Sequence, residues 1–163
     1  MSWLPTDWSH PTRVELATGH HLRPIRAGDV DLDMLAVMGS RERLWSIYGA
    51  AWGWPPDWMT RELDEEDLQR HSDEIEAQES FNYAIFDQGE TELIGCIYID
   101  PTDLPHTDAE VSWWVRDEYL SSDLEQLLDT FVPAWITEEW PLHQPRFGPP
   151  PAPDATEETP PPA

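Results

Sequence analysis

Two apolar runs joined by a short turn constrain this chain more than any other stretch. Phe81 to Phe86 (FNYAIF) reads as a strand, Asp87-Gln88-Gly89-Glu90 as the turn, and Leu93 to Ile99 (LIGCIYI) as the returning strand. Its β-branched and aromatic residues favour extended backbone, and Gly95 inside it predicts a bulge or a close backbone approach. The rest of the chain must be fitted round this hairpin.

Before it, His21 to Arg26 (HLRPIR) alternates apolar and polar residues as a short strand, and Pro24 places it near a sheet edge or at a strand start. Asp29, Asp31 and Asp33 then lead into Leu32, Leu35, Val37 and Met38, an acid-rich helix start that Gly39 and Ser40 break. Leu44 to Trp58 reads as an irregular aromatic segment, with Trp45, Tyr48, Trp52, Trp54 and Trp58 set among Gly49, Gly53, Pro55 and Pro56. Thr60 can cap a second helix running to about Gln78, with Leu63, His71 and Ile75 turned inward. Its acidic face, including Glu62, Asp64, Glu66, Asp67 and Glu74, reads as solvated. Beyond the hairpin, Ala109 to Val115 (AEVSWWV) is a further strand whose adjacent Trp113 and Trp114 send one ring to each sheet face. Leu124, Leu127, Leu128, Phe131, Val132, Trp135 and Ile136 then form one broad apolar helical stripe, interrupted by Pro133. This order predicts an α/β fold with mixed strand pairing.

Composition narrows the function classes. The 163 residues suit one domain with a real core. Their 33 Asp and Glu stand against 9 Arg and no Lys, a formal charge of −24. Without a basic stripe, neither nucleic acid nor an anionic membrane surface is a fitting partner. No run suits a membrane span or a signal peptide, and the single Cys96 suits a reducing compartment, so a cytoplasmic location is expected. The acidic, Lys-free composition fits a GC-rich genome or a high-salt cytoplasm and says nothing of function. Nine of the 17 prolines lie from Pro141 onward, and no large apolar residue follows Phe147. The expected organisation is an arm over 1–19, a domain over 20–147 and a disordered Pro-rich tail over 148–163.

Three phrases, LRPIRAGDVDLDML, FNYAIFDQGETELIGCIYIDP and AEVSWWVRDEYL followed by an amphipathic helix, resemble the GNAT family of acetyl-CoA-dependent N-acetyltransferases. The resemblance covers about Leu22 to Trp140. It implies a mixed sheet splayed after its fourth strand, with the pantetheine arm of acetyl-CoA lying along Ala109–Val115 and the acceptor amine entering from the other side. Glu110 is then the candidate general base, able to take a proton from an ammonium directly or through water. The alternative for Glu110 is an ion pair with an Arg on a neighbouring strand. Trp114, Val115, Arg116, Ser121 and Ser122 become the candidate cofactor contacts, and Trp45, Tyr48, Trp52 and Trp54 the candidate acceptor contacts.

The chain departs from the family at two places. A Gln/Arg-x-x-Gly-x-Gly/Ala turn normally cradles the cofactor diphosphate on bare N–H groups. Here the text is Leu120-Ser121-Ser122-Asp123-Leu124-Glu125, without glycine. Ser122 and Glu125 form a capping box that can satisfy those N–H groups, and Asp123 and Glu125 repel an anion. The fold also reads as incomplete after the fourth strand and third helix, with Pro145–Gly148 a stub of a fifth strand and no Tyr after Tyr119 to act as the family's general acid. An exposed sheet edge invites a second copy or a protein partner. Two functions follow: an N-acetyltransferase for a small amine, impaired by the acidic turn, or an inactive binding module using the Trp-rich surface or the open edge. His10, His20 and His21 lack metal-site spacing, and Cys96 reads as a small buried hydrophobe.

Overall fold

The computed structural model describes residues 3–152. Most of the expected Pro-rich tail, 153–163, lies outside the described residues.

One six-stranded sheet carries the fold, with its strands in chain order. These are β1 (Val14–Glu15), β2 (His21–Pro24), β3 (Phe81–Phe86), β4 (Leu93–Asp100), β5 (Ala109–Val115) and β6 (Pro145–Phe147). Every neighbouring pair is antiparallel except β5 and β6, which run parallel. The helices are α1 (Val30–Gly39), α2 (Arg41–Trp52), α3 (Arg61–Glu76) and α4 (Asp123–Glu139). The predicted mixed α/β fold is therefore found, and the expected strand stub over Pro145–Gly148 is β6. Among the described residues, no helix is long and apolar enough to cross a membrane.

All six residues of β3 and seven of the eight in β4 are buried, so both faces of the hairpin are covered. On one face α4 sets Trp135 5.2 Å from Tyr83, and Trp140 packs edge-on to Phe81 at 4.9 Å. The N-terminal segment joins the same end, with Trp8 4.6 Å from Trp140 and Leu4 in the core. On the other face lie α1, α2 and α3. Strand alternation thus sends Glu110, Ser112 and Trp114 towards α1–α3 and Val111 and Trp113 towards α4, splitting the two tryptophans as expected. Pro133 sits inside α4, which nonetheless continues to Glu139.

Pro24 closes β2 beyond the reach of β1, which pairs only with His21 and Leu22, so the missing N–H falls on an open stretch of edge. Gly95 meets both expectations for it. The β3–β4 register slips between Ile85↔Gly95 and Phe86↔Leu93, and the Trp114 carbonyl comes so close that a Cβ on Gly95 would lie 2.0 Å from its oxygen.

Two readings of the helical half are corrected. The expected irregular stretch from Leu44 is helical as far as Trp52. Gly49 does not break α2, because the Trp45 ring lies over it, and Gly53 ends the helix with a left-handed φ of 62°. In α3 the inward residues are Asp64, Leu68 and Ile75, whereas Leu63 is exposed. The acidic face of α3 is therefore only partly solvated: Asp64 is 1% exposed, and Asp67, His71 and Glu74 are half-buried beside it. Thr60 caps the helix by accepting from the Leu63 N–H, as expected.

The hairpin turn is tied to β2 by ion pairs. Arg23 donates to Asp29 at 2.7 and 2.9 Å and to Glu90 at 3.0 and 3.1 Å, and His21 bonds Glu90 at 2.6 Å. Arg23 is the main cause holding the Glu90 carboxyl down at about 2. Its folded-state value lies below the ordinary 4.5, so this stabilisation is present above pH 4.5 and is lost as the pH falls towards 2. Replacing Arg23 by Met strands the buried Asp29 carboxylate and should cost about 3 kcal/mol at pH 7. Urea unfolding at pH 7 and pH 3 checks both statements: the deficit should shrink at the lower pH.

Candidate active site

The site begins where β5 outlasts its neighbour. β6 pairs only with Ala109, Glu110 and Val111, and the Gly148 N–H then closes on the Val111 carbonyl. From Ser112 to Val115 that side of β5 has no strand partner among the described residues. Arg116 donates its N–H to Ile94 on β4, so the Val115 carbonyl of the same trans peptide points to the open side. By alternation the backbone groups of Trp113 and Val115 face the opening, and those of Trp114 face β4. Arg43 of α2 reaches across and donates to the Val115 carbonyl while pairing with Asp117 at 2.6 Å.

On the α1–α3 face of the same strand lies a cleft of about 550 Å³. Its floor is two rows of cross-strand neighbours, Asn82–Tyr98–Ser112 and Asp100–Glu110, the latter extended by Ser80, whose Oγ donates to Asp100, and its roof is the inner stripe of α3 with Asp33 of α1. Trp52 and Trp54 form an aromatic wall, with Trp52 5.2 Å from Tyr98. Glu110 lies 3.7 Å from Arg146 on β6, its cross-strand partner, and Oε1 is buried with no hydrogen-bond donor. The ion pair that stands as the alternative for this residue is thus loose, and the carboxylate keeps a free oxygen in the cleft.

The cleft is strongly acidic. Burial, and then the like charge of Asp64, hold the Asp33 carboxyl well above the usual carboxylate range. Burial also pushes Asp64 and Asp100 up to about 6. Asp64 Oδ2 and Asn82 Oδ1 are buried oxygens without a hydrogen-bond partner. Among the described residues, no three His, Cys, Asp or Glu converge as metal ligands.

The turn before α4 satisfies most of its own N–H groups. Ser122 Oγ accepts from the Glu125 N–H at 3.2 Å, and Glu125 Oε1 accepts from the Ser121 N–H at 2.8 Å. This is the expected capping box with its return bond moved back one residue, onto Ser121, whose φ is 63°. Leu120 and Ser122 bond back to Asp117 and Tyr119, so among the described residues only the Asp123 and Leu124 N–H groups of the turn lack a protein acceptor.

The structure brings together Glu110, Trp52 and Trp54 in the cleft. Tyr48 does not line the cleft; it is buried on the same face, stacked on Trp52 at 4.6 Å and donating to Ser112 Oγ at 3.1 Å. Trp45 lies outside, on the outer side of α2 beneath the Arg41 guanidinium. Trp114 is buried with its indole N–H on the Tyr98 hydroxyl at 2.9 Å, so its position at the open edge falls to Trp113. Arg116 is committed to Glu92 and Glu118, each at 3.1 Å. Cys96 is buried, and burial pushes its thiol well above the usual range. Sequence reading missed the buried carboxyls of α3, although Asp64, Leu68, His71 and Ile75 follow the spacing of one helix face.

Comparison with known proteins agrees with this architecture. The family model for the GNAT acetyltransferase domain matches residues 21–131. No curated protein sequence matches. Among solved structures, the ribosomal-protein-S5-alanine acetyltransferase from Vibrio fischeri is similar with a TM-score of 0.65 and 17% identity, over 91% of this chain and 79% of that one. The ribosomal L7/L12 alpha-N-protein acetyltransferase RimL gives 0.57 and 17%, over 82% and 70%. Spermidine N-acetyltransferase from Vibrio cholerae, in complex with CoA and spermine, gives 0.57 and 15%, over 80% and 70%. At such identities the structural likeness speaks for the fold, and the domain match over most of the chain speaks for descent. The chain belongs to the GNAT acetyltransferase family.

Proposed function

We propose that the protein is an acetyl-CoA-dependent N-acetyltransferase acting on an amino group. One observation carries this reading: beyond Val111 one side of β5 has no strand partner among the described residues, with only its Val115 carbonyl taken by Arg43, and on the inner face of the strand Glu110 has a buried oxygen without a donor. Further support comes from relatives of the same fold that acetylate ribosomal proteins or spermidine, one of them in complex with CoA. When bound, acetyl-CoA supplies a thioester as the acyl donor. The open edge suits an extended arm carrying amide groups, and the Trp113 backbone and the Val115 N–H would hold it, the Val115 carbonyl being taken by Arg43. Ser121, Ser122 and the free Asp123 and Leu124 N–H groups would face the diphosphate. Glu110 takes a proton from the entering ammonium, directly or through one water, and so frees the nitrogen lone pair for acylation. Ser112, fixed by Tyr48, lies on the same face to orient the amine.

The acidic turn works against the diphosphate. Glu125 already occupies the Ser121 N–H, and a unit charge about 5 Å from a phosphate costs about 3 kcal/mol at an effective dielectric near 20, before screening. Calorimetric titration with CoA tests this. Asp123→Asn/Glu125→Gln should bind at least ~10-fold tighter than the unaltered chain, and the unaltered chain should release thiol from acetyl-CoA when an amine is present. If neither protein binds CoA at millimolar concentration, the transferase reading fails, and a binding module of the same fold takes its place.

A further inference from the structure

Six carboxyls line the cleft, and their compensation is uneven. Arg70 pairs with Asp67 and, at 2.5 Å, with Glu74, and His71 lies 3.6 Å from Asp67. Glu110 has only the loose contact with Arg146. Among the described residues no Arg or His is ion-paired with Asp33, Asp64 or Asp100. The groups without a close cation fall into two sets on different walls: Asp33 with Asp64 on the helices, and Asp100, which accepts from Ser80 Oγ at 2.5 Å, with Glu110 at facing positions of β4 and β5.

A cluster of acids alone would be no site. Here two further side chains point to a ligand: Asp64 and Asn82, 1% and 3% exposed, each line the cleft with an oxygen that has no donor. Buried acceptors are ordinarily satisfied, so two left open in one cavity await a donor from outside the chain. A cationic donor suits the place best, because it satisfies these oxygens and also relieves the burial of the carboxyls around them. A metal ion does not suit the arrangement, since no three of these groups converge. The same cleft is lined by Tyr98 and the Trp52–Trp54 wall, which suits methylene groups and the face of an ammonium.

We infer that the cleft takes a linear aliphatic amine with at least two ammonium groups, one held at Asp100 and Glu110 for reaction and the other anchored by Asp64 and Asp33 with Asn82. The inference rests on the transferase reading for the reacting end only; the anchoring end is a binding statement. Burial keeps the Asp33, Asp64 and Asp100 carboxyls reluctant to ionise, and an ammonium in the cleft would relieve that cost.

The probes are spermidine, 1,4-diaminobutane and 1-aminobutane, titrated calorimetrically into the full chain without CoA and then compared as acceptors with acetyl-CoA. Each polyamine should bind at least ~30-fold tighter than the monoamine at low salt, and the preference should shrink as salt is raised. Asp64→Asn should lose at least ~10-fold in diamine affinity with little change for the monoamine. That comparison within one variant separates lost anchoring from misfolding. Equal affinity for diamine and monoamine overturns the inference, as does an Asp64→Asn variant that keeps the diamine preference. If the preference is found but no thiol is released with any acceptor, the dication site stands and the transferase reading falls. If thiol is released equally well with the monoamine, the transferase reading stands and the dication site falls.

Discussion

Glu110→Gln is expected to lower the rate of acetyl transfer by about 10²- to 10⁴-fold while CoA affinity stays within about twofold. The amide keeps the shape of the side chain, so the packing of β5 against β4 and β6 is preserved. What it removes is the ability to accept a proton. In the native protein Oε1 is buried without a donor, and the nearest cation, on Arg146, stands at 3.7 Å. The carboxylate is therefore more available to an entering ammonium than it would be in a close, bidentate pair with arginine. Thiol release at saturating acetyl-CoA, beside a CoA titration, separates the two quantities. A variant that turns over within about threefold of the native rate would reduce Glu110 to a structural partner of Arg146.

Gly95→Ala should cost about 3 kcal/mol of stability or more. The added methyl would lie 2.0 Å from the Trp114 oxygen and 3.0 Å from the Val115 Cα. Both are backbone atoms and cannot rotate away, so β4 and β5 would have to part. They would part at Trp114 and Val115, where the other side of β5 is already open, so the substitution should also disturb the candidate cofactor edge. Gly89→Ala is the control, because a Cβ there meets nothing nearer than the Thr91 methyl at 3.8 Å. Urea midpoints should fall sharply for the first variant and by less than about 0.5–1 kcal/mol equivalent for the second. An unchanged midpoint for Gly95→Ala would mean that the bulge relaxes without strain.

Much of the framework was legible. The hairpin, the strand over Ala109–Val115 and the Leu124–Ile136 stripe have strong periodicity, and local pattern and burial agree in each of them. α2 was not legible, because Gly49 and Gly53 are ordinarily breakers. Only the Trp45 ring lying over Gly49, and the left-handed turn at Gly53, show that one is tolerated and the other is a cap. The candidate site divides the same way. Glu110 could be proposed from its place at the start of a strand in a familiar phrase. Trp45 and Trp52 carry the same ring type on the same helix, yet only Trp52 meets the cleft.

The sequence by itself determined the hairpin, the strand over Ala109–Val115 and the Leu124–Ile136 helix, the family to which the chain belongs, and the replacement of the glycine turn by Ser121, Ser122, Asp123 and Glu125. These are local properties: periodicity, turn chemistry and residue identity. Tertiary structure alone decided that Glu125 bends back onto the Ser121 N–H and that β6 stops short of Ser112. It also decided that Asp33, Asp64 and Asp100 are enclosed instead of solvated. Burial depends on what the other elements cover, and a carboxylate looks the same in the text whether water or a helix lies above it.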